Sequence, residues 1–313
     1  MQLIKEPLLY HTSPPLKLFS LLLIILISLL FTLIFAMAGG YLFFGSELMD
    51  YLMDGSLTES PELLPMLKYL QMVNSVGLFI IPPLLFAYLV SKNPSAYLAL
   101  NRRPALVSAV LGAMAIVIIL PFIHWTAGIN EMLSLPEWMS GIESWMKSSE
   151  DQAERLTGLF LATGSFTGLT VNLLMIAILP AIGEEFLFRG VLLRIFREWT
   201  GNVHLAAVIS AFLFSAIHLQ FYGFLPRFIL GLLLAYLFIW SGSIWIPVIV
   251  HFFNNGIAVV AAWLYERGSI STSVDAIGES PQTFMIIASL LMVVVLTAMI
   301  RYYEGKKKGS TIE

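Results

Sequence analysis

Hydrophobic side chains fill long stretches of this chain, and polar side chains are gathered in short segments between them. A helix that spans a membrane needs about 20 predominantly apolar residues, and the sequence contains eight runs close to that length. They lie at residues 18–38, 70–91, 105–127, 166–188, 203–221, 223–241, 244–265 and 283–301. The pattern therefore predicts an all-α, polytopic integral membrane protein with about eight transmembrane helices.

Composition supports a membrane protein and narrows its chemistry. Hydrophobic residues make up 58% of the chain and charged residues only 12%, whereas soluble domains are about 45–50% apolar. Basic residues are not interleaved with aromatic ones as a nucleic-acid groove requires, so nucleic acid is not an expected partner. The expected partners are the lipid bilayer and a membrane-associated substrate. The chain contains no cysteine, which excludes disulfides, thiolate metal ligands and a cysteine nucleophile.

Basic and acidic residues alternate between successive loops. The basic ones are Lys5, Lys17, Lys92, Arg102, Arg103, Arg189, Arg194, Arg197, Arg301 and Lys306–Lys308. The acidic ones are Glu47, Asp50, Asp54, Glu59 and Glu62 in the first loop, and Glu131, Glu137, Glu143, Glu150, Asp151 and Glu154 in the third. Because basic loops stay in the cytoplasm, we expect a multi-pass protein of the inner (cytoplasmic) membrane with both termini cytoplasmic.

The chain is expected to form one polytopic membrane domain over residues 1–301, followed by a polar cytoplasmic tail at 302–313. Its first run resembles a signal peptide, but the apolar core of about 18 residues exceeds the usual 7 to 15, which favours an uncleaved anchor. In the third loop, Leu135, Trp138, Met139, Ile142, Trp145 and Met146 recur at helical spacing. This pattern predicts an amphipathic helix resting on the outer membrane surface, rather than a substrate lid.

Three stretches place polar groups within apolar runs. The first is Glu184-Glu185-x-x-x-Arg189, in which Glu185 and Arg189 lie four residues apart on one helical face and can pair. Glu184 points about 100° away from its neighbour, so the two carboxylates should have different partners. A solvated helix end would explain one pair, but it leaves the second glutamate without a cation.

The other two stretches carry histidines. They are Phe214-x-x-x-His218 and His251-x-x-x-Asn255, and each alone is compatible with hydrogen bonds between packed helices. If residues 201–202 form a turn, Glu184 and His218 each lie 17 residues from Gly201, about 25 Å along their helices. The fourth helix must then continue to about Trp199, and the antiparallel hairpin brings the two side chains to one level.

A carboxylate, two imidazoles and a carboxamide in a shared cavity suit the hydrolysis of an amide. Glu184 with a histidine can hold and deprotonate water, and the remaining histidine and Asn255 can stabilise an oxyanion. Glu184, His218 and His251 are also a donor set that a catalytic zinc ion uses. The sequence leaves both a metal-free and a zinc-dependent mechanism open.

These three motifs, in this order, resemble those of the CPBP intramembrane proteases, also called the Abi or type II CAAX prenyl endopeptidase family. The resemblance covers about residues 160–260, the expected protease core. It implies that Glu184 is the general base, that His218 helps to hold the attacking water, and that His251 and Asn255 line the oxyanion hole. It also implies that Glu185, Arg189 and Phe214 are supporting residues. Members of the family are described both as metalloproteases and as metal-independent glutamate proteases.

The expected function is therefore that of an intramembrane endopeptidase, which cleaves a membrane-associated peptide or protein near the cytoplasmic face. One alternative is a proton-coupled transporter that uses the intramembrane glutamates and histidines. Another is a non-catalytic membrane scaffold. A single enclosed cavity containing Glu184, His218 and His251 favours the hydrolase, whereas a path open alternately to both sides favours transport.

Overall fold

A computed structural model describes residues 6–45, 63–273, 278–279 and 282–309, and every extended element within these ranges is helical. The helices are α1 Pro14–Phe44, α2 Leu64–Val90, α3 Leu106–Ile118, α4 Leu120–Glu131, α5 Ser140–Leu161, α6 Phe166–Thr200, α7 Val203–Ala216, α8 Phe224–Ser241, α9 Trp245–Glu266 and α10 Thr283–Gly309. The all-α, polytopic fold is confirmed. Helix α10 continues to Gly309 and so includes residues 302–309 of the segment that was expected to be a polar tail.

The number of membrane spans differs from the prediction. Among the described residues, six helices are long and apolar enough to cross a bilayer, or seven if α3 and α4, bent by 48°, form one broken span. Helix α7 has only 14 residues, about 21 Å at 1.5 Å per residue, which is less than the hydrocarbon thickness of about 30 Å. The predicted count of eight is thus not confirmed, because α7 is too short.

Helix α6 is the longest element around the candidate site. It continues for 35 residues to Thr200, as the hairpin argument predicted, and it contains π-helical turns at Leu173–Ile178 and Phe186–Leu192. Gly201 ends it with a left-handed φ of 66°, a conformation that glycine adopts without strain. The side chain of Asn202 then caps α7 by accepting from the amides of His204 and Leu205.

Charge divides the helix ends into two groups. We call the first the basic end. Its described Lys and Arg residues are Lys17, Lys92, Arg102, Arg103, Arg194, Arg197, Arg301, Lys306 and Lys307. Its described acidic residues are Glu6, Glu198 and Glu304. Contacts between distant segments hold this end together: Lys17 pairs with Glu198 at 2.8 Å, and Ser108 donates to Glu304 at 2.5 Å.

The other group is the α5 end, where α5 lies across the first turn of α6 and the α7–α8 connection. Its described residues include eight acidic and five basic ones. The acidic ones are Glu131, Glu137, Glu143, Glu150, Asp151, Glu154, Glu266 and Glu279, and the basic ones are Lys68, Lys147, Arg155, Arg227 and Arg267. Of the loop charges used to predict orientation, Lys5, Glu47, Asp50, Asp54, Glu59 and Glu62 lie outside the described residues. Arg189 is wholly buried and does not belong to a cytoplasmic loop.

The expected amphipathic helix exists, but its bounds are different. A short 3₁₀ turn over Glu137–Met139 precedes α5, which extends to Leu161, well beyond the apolar pattern that indicated it. Trp138 in the 3₁₀ turn and Trp145 in α5 are both exposed, as expected for an interfacial segment. In contrast, Glu150 is buried and accepts a hydrogen bond from the amide of Tyr222 at 3.2 Å.

Candidate active site

The shortness of α7 creates a recess within the helix bundle. Helix α7 ends at Ala216, while α6 beside it spans 35 residues, and α5 covers the space that remains. This space is a cavity of about 440 Å³. Its lining comes from six helices and the α7–α8 connection, and includes Glu184, Phe214, His218, His251, Asn254 and Asn255.

Glu184 reaches this cavity because α6 packs unusually closely against α2. A Cβ added to Gly183 would lie 2.6 Å from Cβ of Phe79 and 3.2 Å from its carbonyl carbon, so only glycine fits there. Glu184 is buried and makes no side-chain hydrogen bond within the described part of the chain. The ionisable side chain that approaches it is His251: Oε2 of Glu184 lies 3.9 Å from Nε2 of His251. Its carboxylate oxygens are thus available to accept hydrogen bonds from water.

Glu185 connects two other site residues. Its Oε1 accepts from Nη1 of Arg189 at 2.8 Å and from Nδ1 of His251 at 2.9 Å. Arg189 also donates to the carbonyl of Gly231 at 2.8 Å, which ties α6 to α8. The predicted Glu185–Arg189 pair therefore forms, and it additionally orients the His251 ring.

His218 lies just beyond the end of α7 and lines the cavity opposite the polar face of α6. Its Nδ1 lies 2.8 Å from the carbonyl oxygen of Phe214. Since a carbonyl oxygen only accepts, Nδ1 carries the hydrogen. In the neutral ring, Nε2 is then a lone-pair acceptor. The ring also packs edge-to-face on Phe214, at 5.3 Å between centroids, which fixes its orientation.

Asn255 is positioned by backbone and side-chain contacts. Its Nδ2 donates to the carbonyl of Ile176 at 2.9 Å, and lies 3.4 Å from Nε2 of His251. Its Oδ1 accepts from Asn254 at 2.9 Å. One amide hydrogen is therefore firmly engaged, while the other makes only the long contact with His251 and can turn to a substrate oxygen.

The side chains as placed do not form a metal site. Among the described residues, no group of three His, Asp or Glu side chains is arranged to hold a metal ion. Nδ1 of His251 donates to Glu185, and its Nε2 lies 3.9 Å from Oε2 of Glu184. The expected zinc ligands Glu184, His218 and His251 line one cavity, and zinc binding by these residues stays a prediction.

Two charged residues of the cavity region were missed from the sequence. Arg227 lines the cavity and donates to the backbone and side-chain oxygens of Gln220 at 2.8 and 2.7 Å. Lys68 is buried and donates to the carbonyl of Phe160 and to Asn172, at 2.9 and 2.8 Å. Both are lone cations at the margin of an apolar run, and that signal marks functional or anchoring positions in membrane proteins.

Comparisons with known proteins found one family model and one relative that match part of the chain. Residues 166–257 match the family model of the type II CAAX prenyl endopeptidase Rce1-like proteins, a segment that contains all three motifs. The chain is also 38% identical over 102 residues to an uncharacterized 24.3 kDa protein of Escherichia coli, an alignment that covers 31% of this chain and 46% of that protein. The chain thus matches about half the length of this relative.

No solved structure matches the chain. The family match extends over the helices that build the cavity, from the start of α6 to the middle of α9. It places Glu184, His218, His251 and Asn255 within one recognised domain. Residues 166–257 of this multi-pass membrane protein are therefore similar to the Rce1-like type II CAAX prenyl endopeptidases.

Proposed function

We propose that this protein is an intramembrane endopeptidase that hydrolyses a peptide bond in a membrane-associated protein or peptide. The observation that carries the proposal is the convergence of Glu184, His218, His251 and Asn255 on one cavity inside the bundle. The Rce1-like domain supports the same reaction class. The substrate implied by that family is a prenylated C-terminal CAAX peptide, which we take as the first class to assay.

In the proposed mechanism, a water molecule lies between Glu184 and His218. The Glu184 carboxylate accepts one of its hydrogens, and the lone pair on Nε2 of His218 accepts the other. Glu184 then takes a proton as the water oxygen attacks the carbonyl carbon of the substrate, a step to which general base catalysis contributes about 10²–10⁴-fold. When the C–N bond breaks, Glu184 returns this proton to the departing amine.

The tetrahedral intermediate needs donors for its oxyanion. The Nδ2 hydrogen of Asn255 that faces His251 can turn to this oxygen while the Ile176 contact holds the amide in place. One such preorganised donor is worth about 10²–10³-fold in kcat. Glu185 and Arg189 contribute by keeping the His251 ring beside Glu184.

The position of the cavity favours a hydrolase over a transporter. The site residues line a recess that α5 covers at one end, and the part of α6 beyond Glu185, towards the basic end, is packed, with residues 186–193 all buried. A carrier needs a site that opens alternately to both sides. We therefore retain the endopeptidase as the proposed function.

The test compares matched variants of the same residue types. Purified wild-type protein in liposomes is assayed against fluorogenic peptides, with and without a prenylated CAAX end, beside Glu184→Gln and His218→Ala. The controls are Glu198→Gln and His204→Ala. Glu198 pairs with Lys17 at the basic end. His204 lies near the start of α7, where its ring contacts Tyr236.

We expect Glu184→Gln and His218→Ala each to lose about 10²-fold or more in kcat/KM, because each removes an acceptor of the attacking water. Both controls should stay near the wild-type rate. Equal turnover by all five proteins would disprove the proposed mechanism.

A further inference from the structure

Among the described residues that line the cavity, the exposed ones are Gln71 and Thr157, and both lie in the half of the bundle nearer the α5 end. The rim of the cavity is formed by Ala153, Leu156, Thr157 and Phe160 of α5 and by Arg227 near the start of α8. All of these belong to the α5 end. In the opposite direction, α6 is tightly packed beyond the last cavity-lining residue, Glu184: Phe188 and Val191 are 1% and 0% exposed.

A second cavity adjoins the first at the same end. It has a volume of about 470 Å³ and shares Thr157 and Ile176 with the first cavity. It continues along α9 to Tyr265 and Glu266, the last residues of that helix. Glu266 lies 11 residues beyond Asn255, about 16 Å along the helix. The two cavities thus lie side by side, and together they extend from the site to the α5 end.

Charge identifies which side of the membrane this end faces. The basic end has nine described Lys and Arg residues against three acidic ones, whereas the α5 end has five basic residues against eight acidic ones. Of those five, Lys68 is buried and bonded to Phe160 and Asn172. Since Lys and Arg near span ends are retained in the cytoplasm, the basic end is cytoplasmic and the α5 end is not.

We infer that the active site is reached from the non-cytoplasmic side of the membrane, through the route beneath α5. Its substrates in cells are then polypeptide segments exposed on that side. A prenylated CAAX end on the cytoplasmic side, the substrate class that the family match implies, would not reach the site in cells, although the purified protein can still be assayed on such peptides. This inference rests on the proposed function only in calling these segments substrates. The side from which the cavity is reached is argued independently of it.

The sequence led us to expect both cytoplasmic basic loops and cleavage near the cytoplasmic face. In this fold the cavity lies towards the end opposite the basic loops. The inference therefore keeps the first expectation and replaces the second.

Helix α5 is suited to frame such an entrance. Towards its C-terminal end it is tied to α2 and α6 through the carbonyl of Phe160, which accepts from Lys68 at 2.9 Å and from Asn172 at 2.7 Å. At its middle, Glu150 binds the amide of Tyr222. Two anchors fix the helix across the opening, so that the gap beside Thr157 is a defined feature of the fold.

The absence of cysteine from the chain permits a direct test that does not depend on activity. Single cysteines are introduced as Thr157→Cys at the shared wall of the two cavities, Ser144→Cys on the exposed face of α5, and Ser95→Cys on the exposed surface of the short helix Pro94–Tyr97 at the basic end. Each is labelled with a charged, membrane-impermeant maleimide in intact cells and in inverted membrane vesicles.

In intact cells we expect labelling at Thr157→Cys and Ser144→Cys and at least tenfold less at Ser95→Cys, with the reverse pattern in inverted vesicles. Labelling of Ser95→Cys in intact cells, or of Thr157→Cys only in inverted vesicles, would overturn the inference. Failure of Thr157→Cys to react from either side would also overturn it, because the route would then be closed to water.

The same samples separate this inference from the proposed function. If the labelling is as expected but purified protein cleaves no peptide, the outward-facing cavity stands and the endopeptidase proposal fails. If peptides are cleaved but Thr157→Cys reacts only from the cytoplasmic side, the endopeptidase stands and the inference fails.

Discussion

The buried Glu185–Arg189 pair allows a quantitative test of what burial adds to an ion pair. The change is Glu185→Gln, which removes a charge but almost no volume. The matched change is Glu198→Gln, because Glu198 pairs with Lys17 at the same 2.8 Å as Glu185 does with Arg189. The side chains of Glu185 and Arg189 are 0% exposed, whereas that of Glu198 is 47% exposed.

The expected magnitude follows from the distance and the surroundings. At 2.8 Å and an effective dielectric constant of about 20, the Coulomb attraction is about 6 kcal/mol. Part of it offsets the desolvation of both groups, and removal of one partner from a buried pair typically costs about 3–5 kcal/mol. Exposed pairs contribute about 0–1 kcal/mol. Glu185→Gln should therefore lower the unfolding free energy at least threefold more than Glu198→Gln.

Reversible unfolding in mixed detergent micelles, followed by the fluorescence of the seven tryptophans, measures both variants. A loss of about 3 kcal/mol corresponds to roughly a 150-fold change in the unfolding equilibrium. If Glu185→Gln and Glu198→Gln shift this equilibrium by the same amount, burial does not increase the contribution of the Glu185–Arg189 pair to stability. Since the two pairs have the same 2.8 Å distance, that result would refute the reasoning.

Two further predictions concern the position of Glu184 and its chemistry. Gly183→Ala should destabilise the protein by about 1–3 kcal/mol and reduce kcat, because the added methyl group meets Phe79. The control in the same unfolding and peptide assays is Gly141→Ala, whose methyl group meets nothing within 4 Å. Equal effects of the two changes would contradict the close-packing argument. Activity should also persist after incubation with a strong chelator and dialysis, because the side chains as placed do not form a three-ligand site; loss that zinc restores would show that a metal is required.

The sequence predicted the fold class because lipid imposes a strong, local rule. A backbone in the bilayer must satisfy its hydrogen bonds internally, so long apolar runs indicate helices wherever they occur. It also predicted the α6–α7 hairpin, since the turn at Gly201 and Asn202 is encoded by local chemistry. Helix ends were less predictable: apolar residues continue past Ala216, yet α7 ends there.

The candidate site was predicted in part. The spacing of Glu185 and Arg189 on one helix was sufficient to predict their pair, which is confirmed at 2.8 Å. The contact between Glu185 and His251 joins residues 66 positions apart, and no local pattern encodes it. The roles of Glu184, His218 and Asn255 stay predictions, which the variants above will test.

By itself, the sequence determined that this is a multi-pass helical membrane protein, which side chains are buried ionisable candidates, and where the basic residues are concentrated. Those properties depend on composition and on contacts within one helix or one turn. Only the tertiary structure decided that α7 stops short, that α5 covers the recess, and that the cavity opens away from the basic end. The physical reason is that a cavity is the space that packed helices leave between them. Its position therefore depends on their relative lengths and crossings, which no single segment of the chain contains.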